Sequence, residues 1–566
     1  MGVDFNTGTL APLMNRGNFS EAEQIVLNHF FTNLDRNVYA ATPNMSSQLW
    51  AFFTGQYSRS HLSMRDRFLQ ILEDMKSTYD KGKLKSEDLV TVEDLAKDIQ
   101  SGGGLRLGFF EQKASAFLKK WGIEYGHDSL KDADTVRFAI EGISQLATTP
   151  IETPDPNLGA YQEKSSRYIS FDKQSVIIPP TLKNSGFSLE VKLNNDALMD
   201  SYSRNFEVVL NFIKTVVMNR NDFESDGAFE KTARAKTLDI VRYWLPQGLI
   251  TSLGATWSSR IAEIHISYLL SHQLEELRLI GQSLLEEGVK VSPTLLTHVG
   301  ENQYVKETIP SIDRLTMELL GKPEIIYHRG EEGLQRVKLI SSTPNLENKL
   351  VAAILFENGN HNLSFEEIEE RVNSFSIEEK GRVYHEYLNR RGSRDLMMRA
   401  IRVGNLIFDV VHDNGGWRDL KRQRVGLMLK QKITAAIGYA YPEFLQDAEE
   451  LSEIKLEYEK LMERTSELFL RVEKEFSNEA SYIPAMGNWG RSIYQFDPRQ
   501  GQYHTELRTP PTNHQSNRTI FQQMYEKMSE VLPILCRYIK VNYEDASVGR
   551  KEAEEKTERK RRELSK

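Results

Sequence analysis

Four stretches of this 566-residue chain gather side chains able to hold an anion or move a proton. The first runs from Tyr161 to Tyr168 and reads YQEKSSRY. In an extended segment Glu163, Ser165 and Arg167 point to one side. A serine hydroxyl and a guanidinium fork are parts that hold a phosphate monoester, and a carboxylate beside them can accept from a sugar hydroxyl. The bland alternative is a solvated loop with an internal Glu–Arg pair. The second, GGWRDLKRQR from Gly415, packs Arg418, Lys421, Arg422 and Arg424 behind the mostly apolar run Leu406–Val411. Cations beside a buried element are costly unless something compensates them. This cluster is therefore either a pyrophosphate site or an exposed helix face. The third holds Arg499, Arg508, His514 and Arg518, with Glu506 available for intrahelical pairing. The fourth, Gly126-His127-Asp128-Ser129, is weak by itself.

Other chemistries are excluded. The chain has no HExxH, GxSxG or P-loop, and no GxGxxG in a strand–helix context. Its single cysteine, Cys536, lies in VLPILCRYI, which rules out an internal disulfide and a Cys-based zinc site and reads as core packing. A net charge of −8 argues against general binding to nucleic acid or membrane. No apolar run reaches the roughly 20 residues of a membrane span. The reading is a cytoplasmic protein.

Helices must position most of these side chains. Ser20 and Glu23 form a capping-box pattern ahead of Ile25, Val26, Phe30 and Phe31. Leu451, Ile454, Tyr458, Leu461, Leu468 and Val472 make one stripe of a long helix within Pro442–Phe476. Strands are expected at Gly186–Leu193, Ser175–Ile178, Ile325–Tyr327 and Val337–Ser342. The fold class is mixed α/β and helix-rich. The Asn-, Gly- and Ser-rich stretch 343–364 reads as a linker between domains at 20–342 and 365–545, and 546–566 as a charged tail, either a solvated, fraying helix or disordered. A weak repeat crosses the boundary: Leu245-Pro246 precedes Arg260 by fourteen residues, and Ile483-Pro484 precedes Arg499 by fifteen.

Taken together these segments resemble the flavin-dependent thymidylate synthases. The family fingerprint is an Arg-His-Arg followed by a Glu/Ser-x-Arg-Tyr block. Upstream of it lies a Gly-His segment, and downstream come a Leu-Pro and an Arg-bearing helix. The first half carries GHDS at Gly126, EKSSRY at Glu163 and Arg260, but Asp155-Pro156-Asn157 stands in the Arg-His-Arg frame. The second half carries Arg422-Gln423-Arg424 in that frame, with Gln for the central His, and LMLKQK (Leu427–Lys432) in place of the Ser-x-Arg block. The chain is similar to a tandem-duplicated long form of the family.

The resemblance implies two tandem synthase-like units, assembled as a homodimer of tandem chains, with composite sites to which each half supplies what the other lacks. It implies reductive methylation of dUMP to dTMP, with FAD as cofactor and NADPH and methylenetetrahydrofolate as co-substrates. Glu163, Ser165, Arg167, Tyr168, Arg260, Arg499 and Arg508 would then face the nucleotide. Arg418, Arg422, Gln423, Arg424 and His514 would face the flavin. The Gln at 423 leaves two other readings open: a non-catalytic nucleotide- or flavin-binding relative, and a helical interaction scaffold.

Overall fold

A computed structural model describes the chain except residues 1–2, 5–8, 11–18, 35–39, 58–61, 82–88, 103–107, 125–127, 167–169, 173–174, 322–325, 360–361, 424 and 565–566. It is mixed α/β and dominated by helices. The chain divides into two compact units, one of residues 1–139, 158–162 and 254–311, the other of residues 140–157, 163–253 and 312–566.

In the first unit the helix Glu21–Phe30 starts on the capping box that the sequence predicts, with Ser20 and Glu23 exchanging bonds. Its buried face of Val26, Leu27 and Phe30 packs with Phe52, Phe53, Phe68 and Leu72. Phe53 stacks on Phe68 with ring centroids 4.9 Å apart. Asp134 is fully buried and lies in a cage of hydroxyls, accepting from Ser47 at 2.5 Å, from Ser292 at 2.6 Å and from Ser259. Charge-assisted hydrogen bonds of this kind are what let a carboxylate stay buried.

One order of elements runs twice along the chain. First come strand β1 (Thr135–Ser144), helix α1 (Gln145–Glu152) and strand β2 (Ala160–Glu163). Helices α2 (Ser188–Phe212) and α3 (Asp226–Val241) lead to strand β3 (Ile250–Ser258) and helices α4 (Ser259–Leu270) and α5 (Glu275–Val291). After strand β4 (Val337–Ser342) and helix α6 (Leu346–Glu357), the order returns: β5 (Leu406–Asp413), α7 (Asn414–Leu420) and β6 (Leu427–Lys430). Helix α8 (Ser452–Val472) then precedes β7 (Trp489–Phe496), α9 (Pro498–Arg508) and α10 (Gln515–Val531). The sheets repeat as well, in the orders β1-β3-β2 and β4-β5-β7-β6.

Individual hydrogen bonds repeat with the elements. Gln145 N donates to Leu249 O, and Asn414 N donates to Asn488 O (145 to 414 and 249 to 488, steps of 269 and 239). Leu146 N to Gln247 O recurs, by the same steps, as Gly415 N to Met486 O. Lys164 N to Ser252 O recurs as Gln431 N to Arg491 O, a step of 267 on the first strand. The caps match too. Ser144 Oγ accepts from Ala147 N where Asp413 accepts from Gly416 N, and Ser258 from Ile261 N where Asp497 accepts from Gln500 N. These short polar caps satisfy donors that each helix start would otherwise leave open.

In the second unit the two runs of this order meet at a short bridge. Pro246 bridges Ala485; Gln247 N donates to Pro484 O, and Met486 N to Leu245 O. Each bond is the other's counterpart by the step of 239, so a local twofold passes through the bridge. The counterpart of Pro246 is therefore Ala485, one residue beyond the aligned proline. This accounts for the fourteen- against fifteen-residue spacing, because Arg260 and Arg499 stand 239 apart.

Several expectations are met. Val337–Ser342 is a strand, and α8 buries Ile454, Tyr458, Thr465, Leu468 and Val472 on one stripe. Each large apolar side chain so buried contributes about 1.5–3 kcal/mol. Others are corrected. Gly186–Leu193, read as a strand, opens α2: only Val191 of its alternating apolar set is buried, while Leu189 and Leu193 are exposed. Burial instead follows Val191, Asn194, Asn195 and Leu198, a helical period. Ser175–Ile178 makes only the isolated bridge Val176–Leu249. Residue 325 lies outside the described residues, and a two-residue strand begins just beyond at His328. The stretch 343–364, read as a linker, contains α6, whose Leu350, Val351 and Ala352 are fully buried in a core. The tail, read as a solvated, fraying helix or disordered, is helical, α11 (Lys551–Leu564), but docked instead of solvated. Glu558 of α11 meets Ser225 and, at 3.0 Å, Lys231, while Glu555 accepts from Glu224 N at 3.1 Å. A polar stripe docks this helix, so a hydrophobic pattern gives no sign of it. No helix among the described residues is long and apolar enough to cross a membrane.

Candidate functional site

The last residue of β2, Glu163, meets α7 in the second unit. Alternation along the strand turns Glu163 inward, and the short helix capped by Asp413 presents Arg418 and Lys421 one turn apart. Arg418 Nη2 lies 2.8 Å from Glu163 Oε1, and Lys421 Nζ lies 3.2 Å from Glu163 Oε2. Gln145 Nε2 donates to the same carboxylate at 2.6 Å. Arg418 also donates to Ser166 Oγ at 2.6 Å and to Lys164 O at 2.7 Å. Lys421 completes its set with Glu152 at 3.1 Å and Thr148 Oγ1 at 2.5 Å. Glu152 and Lys421 stand 269 apart, so each is the other's counterpart and their ion pair sits on the local twofold. Burial alone would raise the Glu163 pKa; Arg418, Lys421 and the Gln145 amide outweigh it and hold the carboxyl well below its ordinary range.

The mirror-related place, at the end of β6, has different chemistry. Lys430 takes the position of Glu163 (a step of 267). Its stem reaches the surface, but its ammonium is buried and no hydrogen-bond partner is described for it. The ammonium lies 5.2 Å from the centroid of the Trp417 ring, a cation–π contact. His412 stacks on the same indole at 5.1 Å, and Trp417 Nε1 donates to Thr149 Oγ1 at 2.9 Å. Burial, aided by Lys421, brings the Lys430 pKa down to about 7. Burial, then Lys430, brings that of His412 down to about 3.

A third group lies where α7 ends. Gln423 is buried, and with its amide turned to face its neighbours the oxygen accepts from Arg508 at 2.8 and 3.0 Å while the nitrogen donates to His504 Nε2 at 3.0 Å. His504 bonds the Tyr494 hydroxyl at 2.9 Å. Asp419 lies 3.9 Å from Arg508 and 3.6 Å from Arg422, and accepts from Asn517 at 3.1 Å. Burial, then Arg508, pushes the His504 pKa far below that of free imidazole.

The structure thus brings together Glu163 and Arg418 and, a few residues on, Arg422, Gln423 and Arg508. Arg418, expected to face a pyrophosphate, has protein partners at both terminal nitrogens. Arg422 is 42% exposed at the side chain and has only a long ion pair. His514 is buried with its ring 5.9 Å from that of Tyr243. Arg518 braces a turn through Thr509 O at 2.7 Å and Glu544 O at 2.7 Å. Glu506 pairs with Arg391 at 2.5 Å, outside its own helix, so the alternative of intrahelical pairing is not what the structure shows. Ser165 and Arg499 are half-buried. In the first unit, Arg260 pairs with Asp132 at 3.1 Å. Arg167, Tyr168, Arg424 and the Gly-His of GHDS lie outside the described residues. Gln145, Thr148, Glu152, Trp417, His412 and Lys430 were missed as site neighbours. The signal for them is counterpart spacing, which needs the repeat to be aligned strand by strand.

Residues 70–294 match the family model described as Thymidylate synthase complementing protein. The resemblance to flavin-dependent thymidylate synthases is thereby shown for that part of the chain. Over nearly its whole length, 95%, the chain is 26% identical to a UPF0159 protein of Chlamydia muridarum, covering 98% of that protein. It is 24% identical over 212 residues to a flavin-dependent thymidylate synthase of Clostridium tetani, or 37% of this chain and 76% of that one. A UMP/dUMP methylase from Streptomyces cacaoi bound with 5-Br dUMP aligns to 36% of the chain with a TM-score of 0.29 and 11% identity.

Proposed function

We propose that the chain is a flavin-dependent thymidylate synthase of duplicated form, methylating dUMP to dTMP with methylenetetrahydrofolate as one-carbon donor and NADPH as reductant. The observation that carries this reading is complementary retention. Glu163, Ser165 and Arg167 stand only in the first copy, and Arg422 and Arg424 only in the second, while a buried ion cluster ties Glu163 to the helix that leads into Arg422. A matched single-copy synthase aligns over 37% of this chain, as expected if two copies fill it.

Among the described donors, Arg422 fits a flavin pyrophosphate, since its side chain is partly exposed and only loosely held. Arg418 and Gln423 fit it poorly, because their hydrogen-bonding atoms face protein. Bound FAD would supply the reducing equivalents. The residues of the chain would bind and orient: Ser165 and Arg167 would hold the dUMP phosphate, and Arg422 with Arg424 the cofactor. Arg418 and Lys421 would fix Glu163 as a carboxylate at neutral pH, and with it the end of β2 just ahead of Ser165. The single cysteine is buried and its pKa is pushed up to about 12, so thiolate attack on the pyrimidine is unsuited to this chain.

The enclosure of Gln423, in the frame of the family histidine, favours a second reading: a relative that binds flavin or nucleotide without turnover. Purified protein showing a flavin spectrum and forming dTMP from dUMP, methylenetetrahydrofolate and NADPH supports the first reading. Flavin without dTMP supports the second, and neither flavin nor dUMP binding rejects both.

A further inference from the structure

We infer that each chain holds one nucleotide-phosphate site, at the end of β2, and that the mirror-related place at the end of β6 is closed. The inference rests on the proposed function and fixes the number of its sites. A duplicated chain with a local twofold offers every position twice, so two equal sites are the expectation to be overturned.

The counterparts, read by the step of 267, are opposite in chemistry. Ser165 and Arg167 correspond to Lys432 and Thr434. Lys432 is held by Asp313 at 2.7 Å and Asn478 at 3.0 Å, and the Thr434 hydroxyl accepts from Ala436 N at 3.0 Å. Of the side chains that could grip a phosphate there, Lys432 and Thr434 are engaged with protein and the Lys430 ammonium is buried against the Trp417 ring. Arg422 and Arg424 correspond to Asp155 and Asn157. Asp155 brings a negative charge that repels a phosphate, Pro156 lacks an N–H, and Asn157 donates to Glu152 O at 2.9 Å.

Space differs as well. By the step of 269, the buried indole of Trp417 takes the position of Thr148. Thr148 leaves room for Lys421 to reach Glu163; Trp417 instead fills the corresponding volume between His412 and Lys430. One copy has a polar ion cluster beside its strand end, and the other has packed an aromatic ring there.

The test is calorimetric titration of the full-length chain with dUMP. The expected result is one nucleotide per chain. Arg167→Ala should weaken binding at least about thirtyfold, the effect of removing one charged partner of a phosphate. Lys432→Ala should leave stoichiometry and affinity within about twofold. Two nucleotides per chain, or an Arg167→Ala protein that still binds one of two at full affinity, overturns the inference and leaves the function standing. A folded chain that binds neither dUMP nor flavin overturns the proposed function, and the inference with it.

Discussion

The ends of β2 and β6 occupy equivalent places about the local twofold, yet they solve the same packing problem with opposite means. At the first, Glu163 is fully enclosed and compensated by Arg418, Lys421 and Gln145. At the second, the Lys430 ammonium is buried 5.2 Å from the centroid of the Trp417 indole and has no described anion. A buried ionisable group either stays charged beside a compensating partner or becomes neutral. Glu163 takes the first course and stays ionised; Lys430 takes the second and is driven toward neutrality. Equivalent backbone positions therefore do not imply equivalent chemistry, and the asymmetry lies in two helix positions: Thr148 against Trp417, and Thr149 against Arg418.

Removing the compensated carboxylate should have the largest effect. Glu163→Gln leaves Arg418 and Lys421 buried without their shared anion, and we expect a loss of about 3–5 kcal/mol in chemical denaturation. The pH dependence follows from the sign of the shift. The folded-state pKa lies below the unfolded value of about 4.3, so the stabilisation is present above that value and is lost as pH falls from there through the folded pKa. Glu163→Gln should be insensitive to this step. A mutant as stable as the parent at pH 7 would mean the ion cluster does not hold β2 to α7.

Lys430→Met should act in the other direction and less strongly. Methionine keeps the stem and removes the charge, so we expect a gain of about 1–3 kcal/mol at pH 7. With a folded-state pKa of about 7 against about 10.4 unfolded, the unfolded chain binds more protons between these values, and the stability of the parent should rise with pH across that window. The gain from Lys430→Met should therefore shrink as pH approaches about 10.4. A loss of stability at pH 7 would show that Lys430 is paired after all, and would break the contrast with Glu163.

Much of this was legible in the residues. The capping box at Ser20, the stripe of α8, strand β4 and the burial of Leu406–Val411 each follow from local pattern, and local pattern is what a sequence displays most openly. Gly186–Leu193 misled because a short alternating run fits both periods, and the outcome was decided by what packed against Val191 and Leu198. The stretch 343–364 misled because its polar flanks hid the apolar helix α6 between them. The pairing of Glu163 with Arg418 lies across 255 residues and depends on a backbone bridge at Pro246 and Ala485 that no local pattern announces. The resemblance singled out the two segments that meet at Glu163 and Arg418, but not which of their atoms face protein and which face outward.

The smallest effect should come from Gln423→His, the change that restores the family residue. Gln423 serves two neighbours at once, its oxygen accepting from Arg508 and its nitrogen donating to His504. A neutral imidazole can also offer one acceptor and one donor, but in a shorter, rigid ring, so one of the two bonds should be strained or lost, at about 1 kcal/mol. A protonated imidazole offers no acceptor to Arg508 and adds a cation beside it, so the penalty should grow as pH falls below about 6.5. If the protein turns over, the new imidazole should face Arg508 and His504 instead of a bound flavin, and dTMP formation should stay within about twofold of the parent. A gain of roughly tenfold, about 1.4 kcal/mol in the barrier, would mean that position 423 reaches the reacting groups. The enclosure that now separates Gln423 from the partly exposed Arg422 would then not persist in the working enzyme.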